Sequence, residues 1–479
     1  MASSENKFDY APAPESKALA SIASDYGLFI NGKFQSPHSK KKFESINPAT
    51  EETLSKVSFA DEVDVDKAVK AARNAYTKVW SKLSGKERAK YLFRIARLLQ
   101  ERAREFAVVE SLDNGKPIRE TRDVDIPLAA AHFFYHAGWA DKLEYAGFGE
   151  KPKPHGVVGQ VIPWNFPLLM LSWKVAPALA TGNTVVLKPA ETTPLTALLF
   201  AEICQQAELP AGVVNIITGD GRTGSALVKH KDVNKIAFTG STEVGKLIAA
   251  SVASSNTPVT LELGGKGANI VFEDAPIDQA VEGIVNGIFF NQGHVCCAGS
   301  RLLLQENIHD EFLHKLQIRM SKIRVGDPLD KNTDLGAINS AAQLAKIREL
   351  TKSGESEGAQ IWSAPCELPN RGFWFAPTVF TGVTQAHRIA REEIFGPVLS
   401  VLTFRTPQEA IEKANNTPFG LSAGVWTDKG SRILWASNQL KAGVIWANTF
   451  NKFDPASPFG GYKESGWGRE GGQIGRAHV

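Results

Sequence analysis

From Gly156 onward the chain alternates short apolar runs with helix-like segments, and this alternation narrows its possible folds more than any other feature. Val157 to Ile162, Thr184 to Leu187, Val213 to Thr218, Lys235 to Phe238 and Val259 to Leu261 read as strands. Between them Pro194 to Gln206, Gly221 to Lys229 and Ser241 to Ala253 read as helices. Thr193 is the expected N-cap of the first, with Pro194 at its first helical position and Leu209-Pro210-Ala211-Gly212 closing the element. Strands separated by helices pair in parallel through crossover connections, so the expected unit is Rossmann-like. A second alternation runs from Ala268 to about Trp446. Its strands are Arg301 to Gln305, Val398 to Phe404 and Ser422 to Trp426, and its helices Ile277 to Phe290, Ile308 to Ile323 and Pro407 to Asn415. A chain of 479 residues exceeds what one hydrophobic core fills, so two or more domains are expected. A cleft between two α/β units is a favoured place for ligands.

Ahead of these units, Gly27 to Gln35 sets apolar residues on both sides of Asn31-Gly32, a type I′ hairpin signal. Two amphipathic helices follow. Val65, Val69, Ala72, Tyr76 and Val79 line one; Leu92, Ile95, Ala96, Leu99, Ala103 and Phe106 line the other, with Ser84 and Glu87 as a capping box. Both read as packing elements without chemistry. Met1 to Ser24 is polar and has no apolar core of signal-peptide type, and even the apolar run Pro167 to Ala180 is interrupted by Ser172 and Lys174. A balance of 54 Lys and Arg against 51 Asp and Glu points to neither nucleic acid nor an acidic membrane surface. The four cysteines, Cys204, Cys296, Cys297 and Cys366, are too few for a disulfide framework and lack metal-ligand spacing. The reading is a cytoplasmic protein with no metal site.

Within Phe289-Phe290-Asn291-Gln292-Gly293-His294-Val295-Cys296-Cys297-Ala298-Gly299-Ser300-Arg301 a thiol stands among small residues. A thiolate attacks carbonyl carbon readily, and a neighbouring backbone N–H can hold the resulting oxyanion. Two buried cysteines in a core loop would explain the same residues nearly as well. Further candidates sit at strand ends, where open α/β sheets bind ligands. Val161-Ile162-Pro163-Trp164-Asn165-Phe166-Pro167 carries an amide, which could also form a simple Asx turn. Lys188-Pro189-Ala190-Glu191 carries an ion pair, and Phe238-Thr239-Gly240-Ser241-Thr242-Glu243-Val244-Gly245 opens a helix that suits a pyrophosphate. In Leu261-Glu262-Leu263-Gly264-Gly265-Lys266 a carboxylate lies between leucines, where desolvation raises its pKa toward that of a general base.

Taken together, these motifs, with Glu392-Glu393-Ile394-Phe395-Gly396-Pro397 and Pro458-Phe459-Gly460-Gly461-Tyr462-Lys463, resemble the NAD(P)-dependent aldehyde dehydrogenase superfamily from about Phe29 to Gly472. The resemblance implies that fold: a Rossmann-like cofactor-binding domain at 25–140 and 156–266, an α/β catalytic domain at 267–450, and a closing motif at 451–472. A flexible tail at 1–24 and an oligomerisation segment at 141–155, shorter than in tetrameric relatives, complete the division. The implied nucleophile is Cys296, three residues after Gly293, with Asn165 as oxyanion donor and Glu262 as the base that activates water. NAD, or alternatively NADP, would be held by Ile162, Pro163, Trp164, Lys188, Glu191, Gly221, Phe238, Gly240, Ser241, Glu262, Gly264, Glu393 and Phe395. Glu191, accepting hydrogen bonds from ribose hydroxyls and repelling a 2′-phosphate, favours NAD. Phe166, Trp173 and Phe453 would line an apolar aldehyde tunnel, and Lys174 with Glu470 would form a proton relay. His294 stands where the family usually has Gln. Phe8 to Ser16, Ala280 to Gly283 and the Arg301 to Gln305 strand look like family 16 of these enzymes, which implies a homodimer in a longer protein. Gln473 to Val479 looks like a translated adapter read-through rather than a family element. Some family 16 members have lost the nucleophile, so a non-catalytic, nucleotide-binding scaffold is the alternative.

Overall fold

A computed structural model describes residues 11–147 and 152–472. Of the expected segments, 473–479 lies outside these residues, as do parts of 1–24 and 141–155. The hairpin Leu28–Ile30 and Lys33–Gln35 forms around Asn31 and Gly32, whose φ values of 54° and 80° are those a type I′ turn demands. Its first strand joins an eight-stranded sheet. In order across that sheet run Gly466–Trp467, Val259–Glu262, Lys235–Thr239, Val157–Val161, Thr184–Lys188, Val214–Ile216, Leu28–Ile30 and Lys33–Gln35. The five from Val259–Glu262 to Val214–Ile216 are mutually parallel. Chain order therefore reverses direction between Val157–Val161 and Lys235–Thr239. That switch leaves a crevice at the strands' carboxyl ends. A second sheet of seven strands is parallel apart from its edge strand Gln360–Ser363, and Ala268–Val271 and Arg301–Gln305 lie at its centre.

Most expected strands and helices appear within a residue or two of their observed ends, and Ser84 and Glu87 form the reciprocal capping box. Two helices differ: the one read to Ile323 ends at Met320, and the one read from Leu92 through Phe106 is broken at Arg102, whose non-helical backbone ends Gly85–Glu101 and starts Ala103–Asn114. Thr193 differs. The helix spans Leu195–Gln206 with Pro194 at its cap, and the Thr193 hydroxyl has no partner among the described residues. The Leu195 N–H donates instead to the distant carboxylate of Asp113 at 2.9 Å, a tertiary cap that local sequence cannot announce. Pro167–Ala180 is a helix buried on nearly every side, so it has no polar face to reveal its period. Glu110 supplies its missing cap by accepting the Leu168 N–H at 3.1 Å. Residues 11–24, expected to trail freely, are docked in part: Glu15 is buried against Arg104 at 2.8 Å and Pro14 bridges to Asp330. Among the described residues no helix is long and apolar enough to cross a membrane.

Candidate active site

A cavity of about 530 Å³ opens at the switch point of the first sheet. Its wall includes Ile162, Pro163, Trp164, Asn165, Phe166, Trp173, Lys188, Glu191, Gly221, Phe238, Gly240, Ser241, Glu262, Gly264, Cys296, Glu393, Phe395, Phe453 and Glu470. The structure thus brings together every residue put forward from the sequence except Lys174, which stands behind Glu470 with its ammonium 2.5 Å from that carboxylate. Open α/β sheets place ligands at this crevice because strand ends and helix starts leave polar backbone groups exposed there.

Three successive left-handed residues shape the loop that carries the thiol: Asn291 (φ 49°), Gln292 (φ 54°) and Gly293 (φ 74°). Non-glycine residues hold that conformation only when neighbours fix them. Here the Asn291 N–H donates to Glu120 at 3.0 Å, its side-chain amide donates to the Asn165 carbonyl at 2.7 Å, and Gln292 donates to the Ala337 carbonyl at 3.0 Å. Gly293 is obligatory, since a Cβ there would lie 2.1 Å from the Gly396 carbonyl oxygen. The loop ends with Cys296 half-buried on the cavity wall and Cys297 buried, the Cys297 carbonyl accepting the Ser422 hydroxyl at 2.7 Å. All four cysteines are free thiols. A hydrogen bond with Cys297, then burial, hold the Cys296 thiol well above its ordinary pKa, so the resting sulfur is protonated. The buried Asn165 spends one amide hydrogen on the His294 carbonyl at 2.8 Å, leaving its other N–H for a ligand.

Glu262 ends the strand Val259–Glu262, and neither of its carboxylate oxygens has a hydrogen-bond partner among the described residues. Burial, followed by the charge of Glu470, pushes its pKa well up, while Lys174 opposes the rise. A carboxylate so placed is proton-hungry once ionised and has both oxygens available to water.

At the other end of the wall, Lys188 closes its strand and pairs with Glu191 at 3.0 Å; the lysine is buried and the glutamate exposed. Ser241 caps the helix Thr242–Val252. Gly221 and Gly224 present bare backbone with no atom within 4 Å of where a Cβ would stand. Glu393 lies across Gly264 and Gly265: it accepts the Gly265 N–H at 2.9 Å, and a Cβ on Gly264 would come within 2.4 Å of it. Phe395 is left-handed (φ 55°), and Gln343 braces it by donating to the Ile394 and Phe395 carbonyls at 3.0 and 2.8 Å.

Gln343, on the helix Ala341–Ser356, was missed by sequence reasoning, as were the aromatic walls Phe290 and Phe459. So was a buried charge cluster beneath Phe166, where Lys116 pairs with Asp125 at 2.5 Å and stands 4.1 Å over the Phe166 ring. Burial raises neighbouring Glu110 and Glu120 to about 8. The only available signal was the density of charge in Glu110-Ser111-Leu112-Asp113-Asn114-Gly115-Lys116 within an otherwise apolar stretch.

A family model described as the aldehyde dehydrogenase family matches residues 34–478, which includes all but the last residue of 473–479. The chain is 47% identical to the putative aldehyde dehydrogenase DhaS of Bacillus subtilis (strain 168), covering 93% of this chain and 92% of that one. It is 46% identical to retinal dehydrogenase 2 of Homo sapiens, over 94% and 89% of the two chains. An aldehyde dehydrogenase of Bacillus cereus, solved as an NAD+ complex, superposes with a TM-score of 0.93 at 42% identity, over 98% and 97% of the chains. None of these three is described as family 16. The matching family model and this depth of identity across nearly the whole chain place the protein in the aldehyde dehydrogenase family.

Proposed function

We propose that the chain oxidises an aldehyde to a carboxylic acid with NAD as oxidant, through a thioester on Cys296. One observation carries the reading: Cys296, Asn165 and Glu262 open on a single cavity whose far wall bears Lys188, Glu191, Gly221 and Ser241. That wall fits a dinucleotide. The open backbone at Gly221 and Gly224 leaves room for phosphates, the helix start at Ser241 favours their charge, and Glu191 offers acceptors for ribose hydroxyls. The solved Bacillus cereus relative is described as an NAD+ complex. In this reading 25–140 and 156–266 hold the cofactor, 267–450 carries the nucleophile, and 451–472 closes the site.

Cys296 gives its thiol proton to water in the open cavity and its sulfur bonds to the aldehyde carbon, while the carbonyl electron pair moves onto oxygen. The free amide N–H of Asn165 and the Cys296 N–H hold that oxyanion. When bound, the cofactor supplies the hydride acceptor, which leaves the acyl group on sulfur as a thioester. Glu262 takes a proton from water, the water oxygen attacks the acyl carbon, and the carbon–sulfur bond breaks to release acid and thiolate. Lys174 and Glu470 carry the proton onward from Glu262. Phe166, Trp173, Phe290, Phe453 and Phe459 make the substrate end apolar, which favours aliphatic or aromatic aldehydes over phosphorylated ones. A homodimer belongs to the same proposal and rests on the short 141–155 sequence, and a cytoplasmic location rests on four cysteines that are all free thiols.

Cys296→Ala should abolish NADH formation from short aldehydes, and Glu262→Gln should yield a single stoichiometric burst with trapped acyl-enzyme. Full turnover by Cys296→Ala overturns the reading.

A further inference from the structure

We propose that His294 is a positioning residue for the nicotinamide end of the cofactor site, acting through the ring of Phe395. The inference rests on the cofactor reading above. His294 is fully buried and lies behind the cavity wall, with Phe395 and Trp164 between it and the cavity. Its imidazole stacks on Phe395 at 5.8 Å and 24°, and meets Trp164 edge-on at 4.8 Å and 79°. Trp164 and Phe395 meet edge-on at 5.3 Å, so the three rings form a closed triangle with two members facing the ligand.

The imidazole behaves here as an aromatic plate. Neither ring nitrogen has a hydrogen-bond partner among the described residues. Burial, with the nearby Lys116 charge, drops its pKa to about 3, so the ring stays uncharged across the working pH range. What remains is shape and ring contact. The plate supports Phe395 from the rear, while Gln343 fixes the left-handed Phe395 backbone from the other side. The same residue also offers its main-chain carbonyl to the Asn165 amide, which makes His294 the meeting point of the nicotinamide wall and the oxyanion donor. A glutamine at this position has no ring and leaves Phe395 without its support.

The test is binding of NAD+ and of ADP-ribose, which lacks only the nicotinamide, to the full chain carrying His294→Ala or His294→Phe. Removing the plate should weaken NAD+ about five- to tenfold, the value of one aromatic contact, and leave ADP-ribose unchanged. His294→Phe, which keeps a ring and no polar atom, should bind both ligands as the wild type does. KM for the aldehyde should stay constant in both variants. Equal losses for the two ligands, no loss of NAD+ affinity in His294→Ala, or failure of the phenylalanine to restore it would overturn the inference. Should His294→Ala not fold, weakened NAD+ binding by the soluble His294→Phe protein alone would do so. Wild-type protein that binds neither ligand would instead overturn the cofactor reading.

Discussion

Lys174 and Glu470 form an ion pair of 2.5 Å with neither side chain reaching solvent, and Glu262 feels both charges. Removing either partner leaves an uncompensated buried charge, at a cost of about 3–5 kcal/mol. Lys174→Met and Glu470→Gln should therefore each lower thermal stability sharply, while the double variant recovers most of the loss. Glu470 raises the Glu262 pKa more than Lys174 lowers it. The double variant should thus move the acid limb of the kcat profile to lower pH. Additive stability losses in unfolding experiments, or an unmoved limb, would separate Glu262 from this pair.

Two glycines with similar backbone angles should answer alanine very differently. Gly293 (φ 74°) faces the Gly396 carbonyl oxygen, whereas Gly358 (φ 93°) has nothing within 4 Å of where a methyl group would stand. Gly358→Ala carries only the left-handed penalty of about 1–2 kcal/mol and should keep full kcat. Gly293→Ala must in addition displace backbone next to Pro397, shifting the thiol loop, and should lose most of its kcat. Parallel melting curves and steady-state rates check the contrast.

What the sequence made legible was whatever repeats or sits at a chain-local boundary. The strand ends at Val161, Lys188, Thr239 and Glu262 could be read because apolar runs stop at Pro or Gly, and the site motifs follow them directly. Contacts between distant segments left no such trace. Glu110 capping the helix at Leu168, Asp113 capping that at Leu195 and Glu120 anchoring Asn291 all come from beyond Phe106, a stretch to which the sequence pattern assigned no element. The helix Pro167–Ala180 hid for the opposite reason, since burial all round removes the polar face that reveals a 3.6-residue period.

Glu120 makes a stability prediction with a definite sign. Burial raises its pKa from 4.5 to about 8, so between those values the folded protein holds a proton that the unfolded chain has lost. Stability from this group is therefore full below the unfolded value and falls as pH rises toward 8, by up to about 1.4 kcal/mol per pH unit. Glu120→Gln retains an acceptor for the Asn291 N–H and has no proton to lose. It should flatten the decline in denaturant midpoint between pH 5 and 8, and an unchanged slope would show that Glu120 ionises in the fold as it does outside.

In the proposed cofactor reading, Glu191 and Lys188 would set the preference between NAD and NADP by charge. The glutamate is exposed and the lysine buried beside it at 3.0 Å, so neutralising the first leaves a cation at the place where a 2′-phosphate would stand. Glu191→Gln should raise kcat/KM for NADP+ roughly tenfold relative to NAD+, equivalent to about 1.4 kcal/mol. Because the carboxylate faces solvent, added salt should shrink the difference. Rates with both cofactors at low and high ionic strength decide the matter: a constant NADP+ to NAD+ ratio would take Glu191 out of the ribose site, whereas a salt-independent gain would mean that the glutamate excludes the phosphate by bulk and not by charge.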